Sequence, residues 1–153
     1  MKSRSLLLLG ILTLSVLQGA SASSLYLKSR GGSLNLEVLD AFYTSLDDDG
    51  MNNDVRVILK LHYEGHLDLL KVVTGLILPS GFTSAYTVYS LIVNGDFIVT
   101  IDFHEEAVES GWYTFYIHLT LSYGQVSGSC YQTFDPPEEK KGGDPHIEIG
   151  ISG

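Results

Sequence analysis

Glu109-Ser110-Gly111-Trp112-Tyr113-Thr114-Phe115-Tyr116-Ile117-His118-Leu119-Thr120-Leu121 is the stretch from which the fold is read. Tyr113, Phe115, Ile117, Leu119 and Leu121 fall on one side of an extended chain, and Trp112, Thr114, Tyr116, His118 and Thr120 on the other. Strict period two, with one face apolar and the other half-wet, is the pattern of a strand whose one side is buried. The glycine at its entrance marks a turn, so a central strand begins near Trp112 and ends at Leu121.

Similar alternation recurs on both sides of this stretch. Leu34–Tyr43 places Leu34, Leu36, Val38 and Phe42 on one side, and Val55–Tyr63 places Val55, Val57, Leu59, Leu61 and Tyr63 inward. Leu69–Leu78 is apolar on both faces, which predicts a strand covered on both sides or lying centrally. Tyr86–Val93 and Asp96–Phe103 flank Asn94-Gly95, the dipeptide most typical of a two-residue hairpin. Val126–Phe134 supplies a last, weaker strand. Seven strands with turn signals at near-regular spacing predict an all-β antiparallel sandwich.

The ends of the chain read differently. Lys2 and Arg4 precede an apolar run from Leu6 to Leu17, and Ala20-Ser21-Ala22 follows as a cleavage site, so residues 1–22 are read as a signal peptide. The run is shorter than the roughly 20 residues that span a bilayer, and no membrane span is expected after cleavage. The expected destination is therefore secreted, extracellular or on the cell surface. Residues 23–33, with Gly31-Gly32, are read as a flexible leader, and residues 34–135 as the sandwich. Residues 136–153 are read as a flexible acidic, Gly- and Pro-containing tail in which Ile147, Ile149 and Ile151 alternate like a short strand. Such a strand either stays disordered or adds to an exposed sheet edge, in its own molecule or another.

Charge and cysteine content narrow the function classes. Loss of Lys2 and Arg4 with the signal moves the formal charge from −9 to −11, which disfavours a nucleic-acid partner. Cys130 is the one cysteine, so the chain has no internal disulfide and relies on its apolar core, which 44% apolar residues can supply.

At this point the entrance to the opening strand carries a resemblance. An acidic residue, a small residue and then a tyrosine, in Glu109-Ser110-Gly111-Trp112-Tyr113-Thr114-Phe115, is similar to the entry into the sixth strand of immunoglobulin-like domains. The resemblance implies that Tyr113 is a tyrosine-corner residue and that Phe115 stands where antibody-like domains have their second cysteine. It therefore points to a disulfide-free sandwich of fibronectin type III or polycystic-kidney-disease type. No tryptophan lies on the third strand, a departure from the antibody pattern.

Two places carry candidate chemistry. Ser45-Leu46-Asp47-Asp48-Asp49-Gly50-Met51-Asn52-Asn53-Asp54 sets side-chain oxygens at alternate positions around a glycine, as a calcium loop requires. Its ligands are expected to be Asp47, Asp49, the Met51 carbonyl, Asn53 and Asp54, with calcium the candidate cofactor. Arg56 stands where an EF-hand has its bidentate glutamate, so affinity is expected to be weak; the alternative is an Asx-rich turn. Trp112 and Tyr116 on one outward face, with Tyr131 on the neighbouring strand, form an aromatic platform suited to a glycan, or else pack as ordinary cross-strand neighbours.

Catalytic residues are not expected. His62 and His118 are placed on outer faces of different sheets, His104-Glu105-Glu106 reads as a solvated surface cluster, and Cys130 as a core residue. Two functions are open: a non-enzymatic structural, adhesion or interaction module meeting cell-surface proteins or itself through sheet edges, and a small carbohydrate- or ligand-binding module.

Overall fold

Period-two alternation becomes strands throughout the computed structural model of the protein, which describes residues 24–47, 51–122, 125–134 and 146–153. The described residues form β1 (Ser24–Lys28), β2 (Gly32–Thr44), β3 (Asp54–Gly65), β4 (Asp68–Ile77), β5 (Tyr86–Ile92), β6 (Gly95–His104), β7 (Tyr113–Leu121), β8 (Val126–Phe134) and β9 (His146–Ser152). One sheet has the order β1-β2-β3-β6-β9 and the other β5-β4-β7-β8, every pairing antiparallel. The protein is all-β, two antiparallel sheets consistent with a sandwich. The proposed signal peptide lies outside the described residues.

The core is made by the inward halves of the strands. Leu34, Leu36, Val55, Val57, Leu59, Ile101 and Phe103 of the first sheet meet Leu76, Tyr113, Phe115, Leu119 and Leu121 of the second, all fully or almost fully buried. The Phe103 and Phe115 rings meet edge to face at 6.1 Å between centroids, the geometry that the aromatic quadrupole favours. Cys130 is buried opposite Ile117, and burial pushes its thiol up, as suits a small core residue.

Four expectations are corrected by the architecture. Nine strands replace seven: the leader, expected to be flexible, forms β1 against β2, and the tail takes the strand-addition alternative, forming β9 against β6. Leu25 packs against the core and Leu27 is buried, so the leader carries enough apolar surface to pair. The tail strand stays in its own chain, with Ile147 and Ile149 packed against the core.

The third correction is local. A β-bulge between Val38 and Asp40 leaves Leu39 without a register partner, and an extra residue reverses which face the rest of the strand presents. Ala41 and Tyr43 therefore pack on the core, opposite Val57 and Val55, while Phe42 is paired with outward Arg56.

The fourth is topological. Asn94-Gly95 is not a hairpin, since β5 and β6 lie in different sheets and the chain crosses the sandwich there. Neither residue adopts the positive φ that a type I′ turn requires.

Candidate functional site

Two sides of the sandwich are closed to different extents. On one side β1 lies over β8: a Cβ at Gly128 would stand 2.7 Å from Leu25 and 2.8 Å from Leu27, so the bare glycine admits these side chains. On the other side, between the β5 edge and β6–β9, the sheets part into an apolar crevice of about 280 Å³. Leu61, Ile92, Phe97, Val99, Ile149 and Ile151 are among its lining residues. Of the whole lining, Tyr89 and Ser90 alone bring a side-chain oxygen.

The crevice has a definite origin in the strands. β5 is an edge strand, and both its faces contribute, Val88, Ser90 and Ile92 from within and Tyr89, Leu91 and Val93 from the rim. Leu91 is 68% exposed and Ile151 59%, so large apolar groups stand in water on both lips. A volume near the lower end of the roughly 300–1,000 Å³ of small-molecule sites, with an apolar wall, suits an apolar ligand. The sequence predicted strands over Tyr86–Val93 and Asp96–Phe103 but not the opening, because strand alternation reports which face is inward and not how far two sheets stand apart.

The acidic loop is arranged differently from an open cation cup. Asp54 is fully buried; its carboxylate accepts the Leu46 N–H at 2.5 Å and the Glu105 N–H at 2.9 Å. Asn53 is also fully buried, its side-chain amide donating to the Glu105 carboxylate and its backbone carbonyl accepting the Ala107 N–H at 2.8 Å. These two residues fasten the β2–β3 connection to the β6–β7 connection. Glu105 itself sits at φ 59°, a left-handed conformation held by its bonds to both. Asp47 is exposed, Met51 half-buried, and Asp49 lies outside the described residues. Arg56 grips Asp102 of β6 through two bonds of 2.7 Å, and that hydrogen bonding raises the guanidinium's pKa further.

The candidate aromatic platform is partly assembled. Tyr116 and Tyr131 are register partners across β7 and β8, but the Tyr116 hydroxyl donates to the Ser84 carbonyl at 3.0 Å and its ring is half-buried. Burial, with Tyr131 nearby, pushes the Tyr116 phenol up. Trp112 is 64% exposed and precedes β7, outside the ladder that joins the two tyrosines.

Tyr113 has the contacts that its place predicts. Fully buried, it donates to the Glu109 carbonyl at 3.0 Å and accepts the Glu109 N–H at 2.8 Å, a closed corner at the entrance to β7. Glu109 in turn accepts the Ser80 N–H and hydroxyl at 2.8 and 2.7 Å, tying this corner to the β4–β5 turn.

The expected surface cluster of His104, Glu105 and Glu106 is corrected: His104 and Glu106 are buried. Glu106 accepts the Tyr86 hydroxyl, and burial first, then this bond, raises the phenol's pKa strongly. A polar run after a strand reads as solvated; the inward turn depends on Asp54 and Tyr86, both distant in sequence. No family model matches this chain, and neither a curated protein nor a solved structure matches it.

Proposed function

We propose that this is an exported, non-enzymatic binding domain, an immunoglobulin-like sandwich that holds a small apolar ligand between its sheets on the β5–β9 side. The observation that carries the reading is the apolar crevice of about 280 Å³ with exposed Leu91 and Ile151 at its mouth. A wall with so few side-chain heteroatoms offers shape and apolar contact but little with which to activate a substrate, which favours binding over catalysis. Export rests on the N-terminal sequence alone.

Strand order supports the immunoglobulin-like reading. With β2 to β8 lettered A to G, the sheets read A-B-E and D-C-F-G, while immunoglobulin constant domains read A-B-E-D and C-F-G. The fourth strand has changed sheets, and β9 takes the vacated place beside E. Together with the Tyr113 corner and the absence of a cysteine at Phe115, this supports a disulfide-free immunoglobulin-like domain over an antibody-type one.

The test is saturable binding of medium-chain fatty acids, read by displacement of an environment-sensitive fluorophore. One ligand per chain is expected, and Val99→Trp, which fills the crevice, should abolish binding while leaving the circular dichroism spectrum intact. Equal binding by the filled variant would remove the crevice from the account.

A second reading rests on the Tyr116–Tyr131 pair and exposed Trp112, which suit the flat face of a sugar. Pull-down on soluble glycans, with Trp112→Ala and Tyr131→Ala as comparison, tests it independently of the crevice.

A further inference from the structure

The C-terminal strand brings three metal-ligating side chains to one place. In the β6–β9 register His104 faces His146 and Asp102 faces Glu148, so all four lie on the outer face of the first sheet. One nitrogen each from His104 and His146 and one oxygen from Glu148 lie within 4.8 Å of one another. The two imidazoles are stacked, 4.3 Å between centroids and 7° from parallel.

His104 supplies the second observation. It is only 9% exposed, and its Nε2 is shielded from water with no hydrogen-bond partner, the nearest carboxylate oxygen being Glu148 Oε2 at 4.0 Å. Its other nitrogen, Nδ1, lies 3.8 Å from the buried Asp54 carboxylate. Asp54 thus stands behind the ring, on the side away from Glu148, where a small closure would let it accept the Nδ1–H as the outer-shell partner of a metal-binding imidazole. A buried lone pair without a donor is costly, and a cation relieves it.

We propose that His104 Nε2, His146 and Glu148 bind a divalent transition ion of the zinc class, and that the ion fastens β9 to β6. Two imidazoles and one carboxylate match zinc's ligand preference, whereas calcium and magnesium take oxygen. Arg56 does not compete for Glu148, since its guanidinium is held by Asp102. Bond lengths of about 2.0–2.2 Å, with the ion in the plane of each imidazole, require the His146 ring to turn out of its stack on His104 as the ligand atoms close in by about an ångström. His146 and Glu148 are exposed and have room to do so, while His104 is the fixed member. Three protein ligands leave a fourth position for water. Because two of the three ligands lie in β9, binding and strand docking are one equilibrium.

The experiment is equilibrium dialysis of the chelator-stripped protein against zinc, with calcium and magnesium as controls, alongside hydrogen exchange of the β9 amides. The expected result is one zinc per chain at micromolar concentration or tighter, and slower exchange at Ile147–Ile151 when zinc is present. His146→Ala or Glu148→Gln should weaken binding at least tenfold, whereas a His62→Gln, His66→Gln double variant should bind as the parent does. His146→Cys guards against a variant that merely undocks β9: with cobalt as probe it should restore binding and add a thiolate charge-transfer band. Zinc binding unchanged in His146→Ala, no binding at 100 μM zinc, or no thiolate band in His146→Cys would each overturn the proposal.

Discussion

Removing one oxygen from Tyr113 separates the hydrogen bonding of the corner from its packing. In Tyr113→Phe the ring keeps its place in the core, 6.1 Å from the ring of Phe134, and what disappears is the hydroxyl that serves both backbone groups of Glu109. A buried backbone group left without a partner costs about 1–3 kcal/mol, and two are affected. Glu109 is half-buried, so water reaches part of the gap and the expected total is about 1–2 kcal/mol. For a domain of this size that is a fall in melting midpoint of about 3–8 °C. The assay is chemical denaturation followed by the fluorescence of Trp112, with the slope of the transition expected to stay the same. Tyr113→Ala, which also leaves a cavity, should cost about 3–5 kcal/mol. A midpoint for Tyr113→Phe within error of the parent would refute the claim that this corner stabilises the fold.

Four further outcomes are expected. Asp54→Ala strands the Leu46 and Glu105 N–H groups and should destabilise by about 3 kcal/mol, equally in calcium and in chelator. A calcium ion held by Asp47, Asp49 and the Met51 carbonyl at about 10⁻⁴–10⁻³ M would add only about 0.4–1.4 kcal/mol at millimolar calcium, and identical thermal melts in calcium and chelator would end that proposal. Gly75→Ala places a Cβ 1.9 Å from the Ser84 carbonyl oxygen and 2.9 Å from the Tyr116 hydroxyl; loss of the β4–β5 turn, or at least about 2 kcal/mol, should follow in denaturant titration. Bonds to Asp96 first and Glu64 second raise the pKa of exposed His62 above its unfolded value near 6.5. The small stability this brings is complete below about pH 6.5 and is lost as pH rises through the folded value; His62→Gln should flatten that part of the stability–pH curve.

Seven of the nine described strands were legible in the sequence because alternation is a local property, set by successive side chains pointing to opposite faces. The buried rows Val55–Tyr63 and Tyr113–Leu121 and the inward Cys130 follow from that alone. The Tyr113 corner had a different source, the resemblance of Glu109–Phe115 to an immunoglobulin-like strand entry, and it too is local, its partner lying four residues away. The remaining features depend on segments far apart in the chain. Asn94-Gly95 has the composition of a hairpin, yet whether two strands pair or part between sheets is decided by what else each can bury against. Leu39 looks like its neighbours until β3 sets the register and leaves it as the bulge. Ser24–Lys28 is too short to announce itself as a strand without the edge of β2 to receive it, and the alternation of Ile147, Ile149 and Ile151 was legible but not the β6 edge that orders it. His104 was read as solvated because its neighbours Glu105 and Glu106 are charged; Asp54, fifty residues earlier, and His146, on the last strand, pack around it and bury it. The crevice is the extreme case, a gap between strands that do not bond to one another, and a sequence carries no local mark of the distance between two sheets.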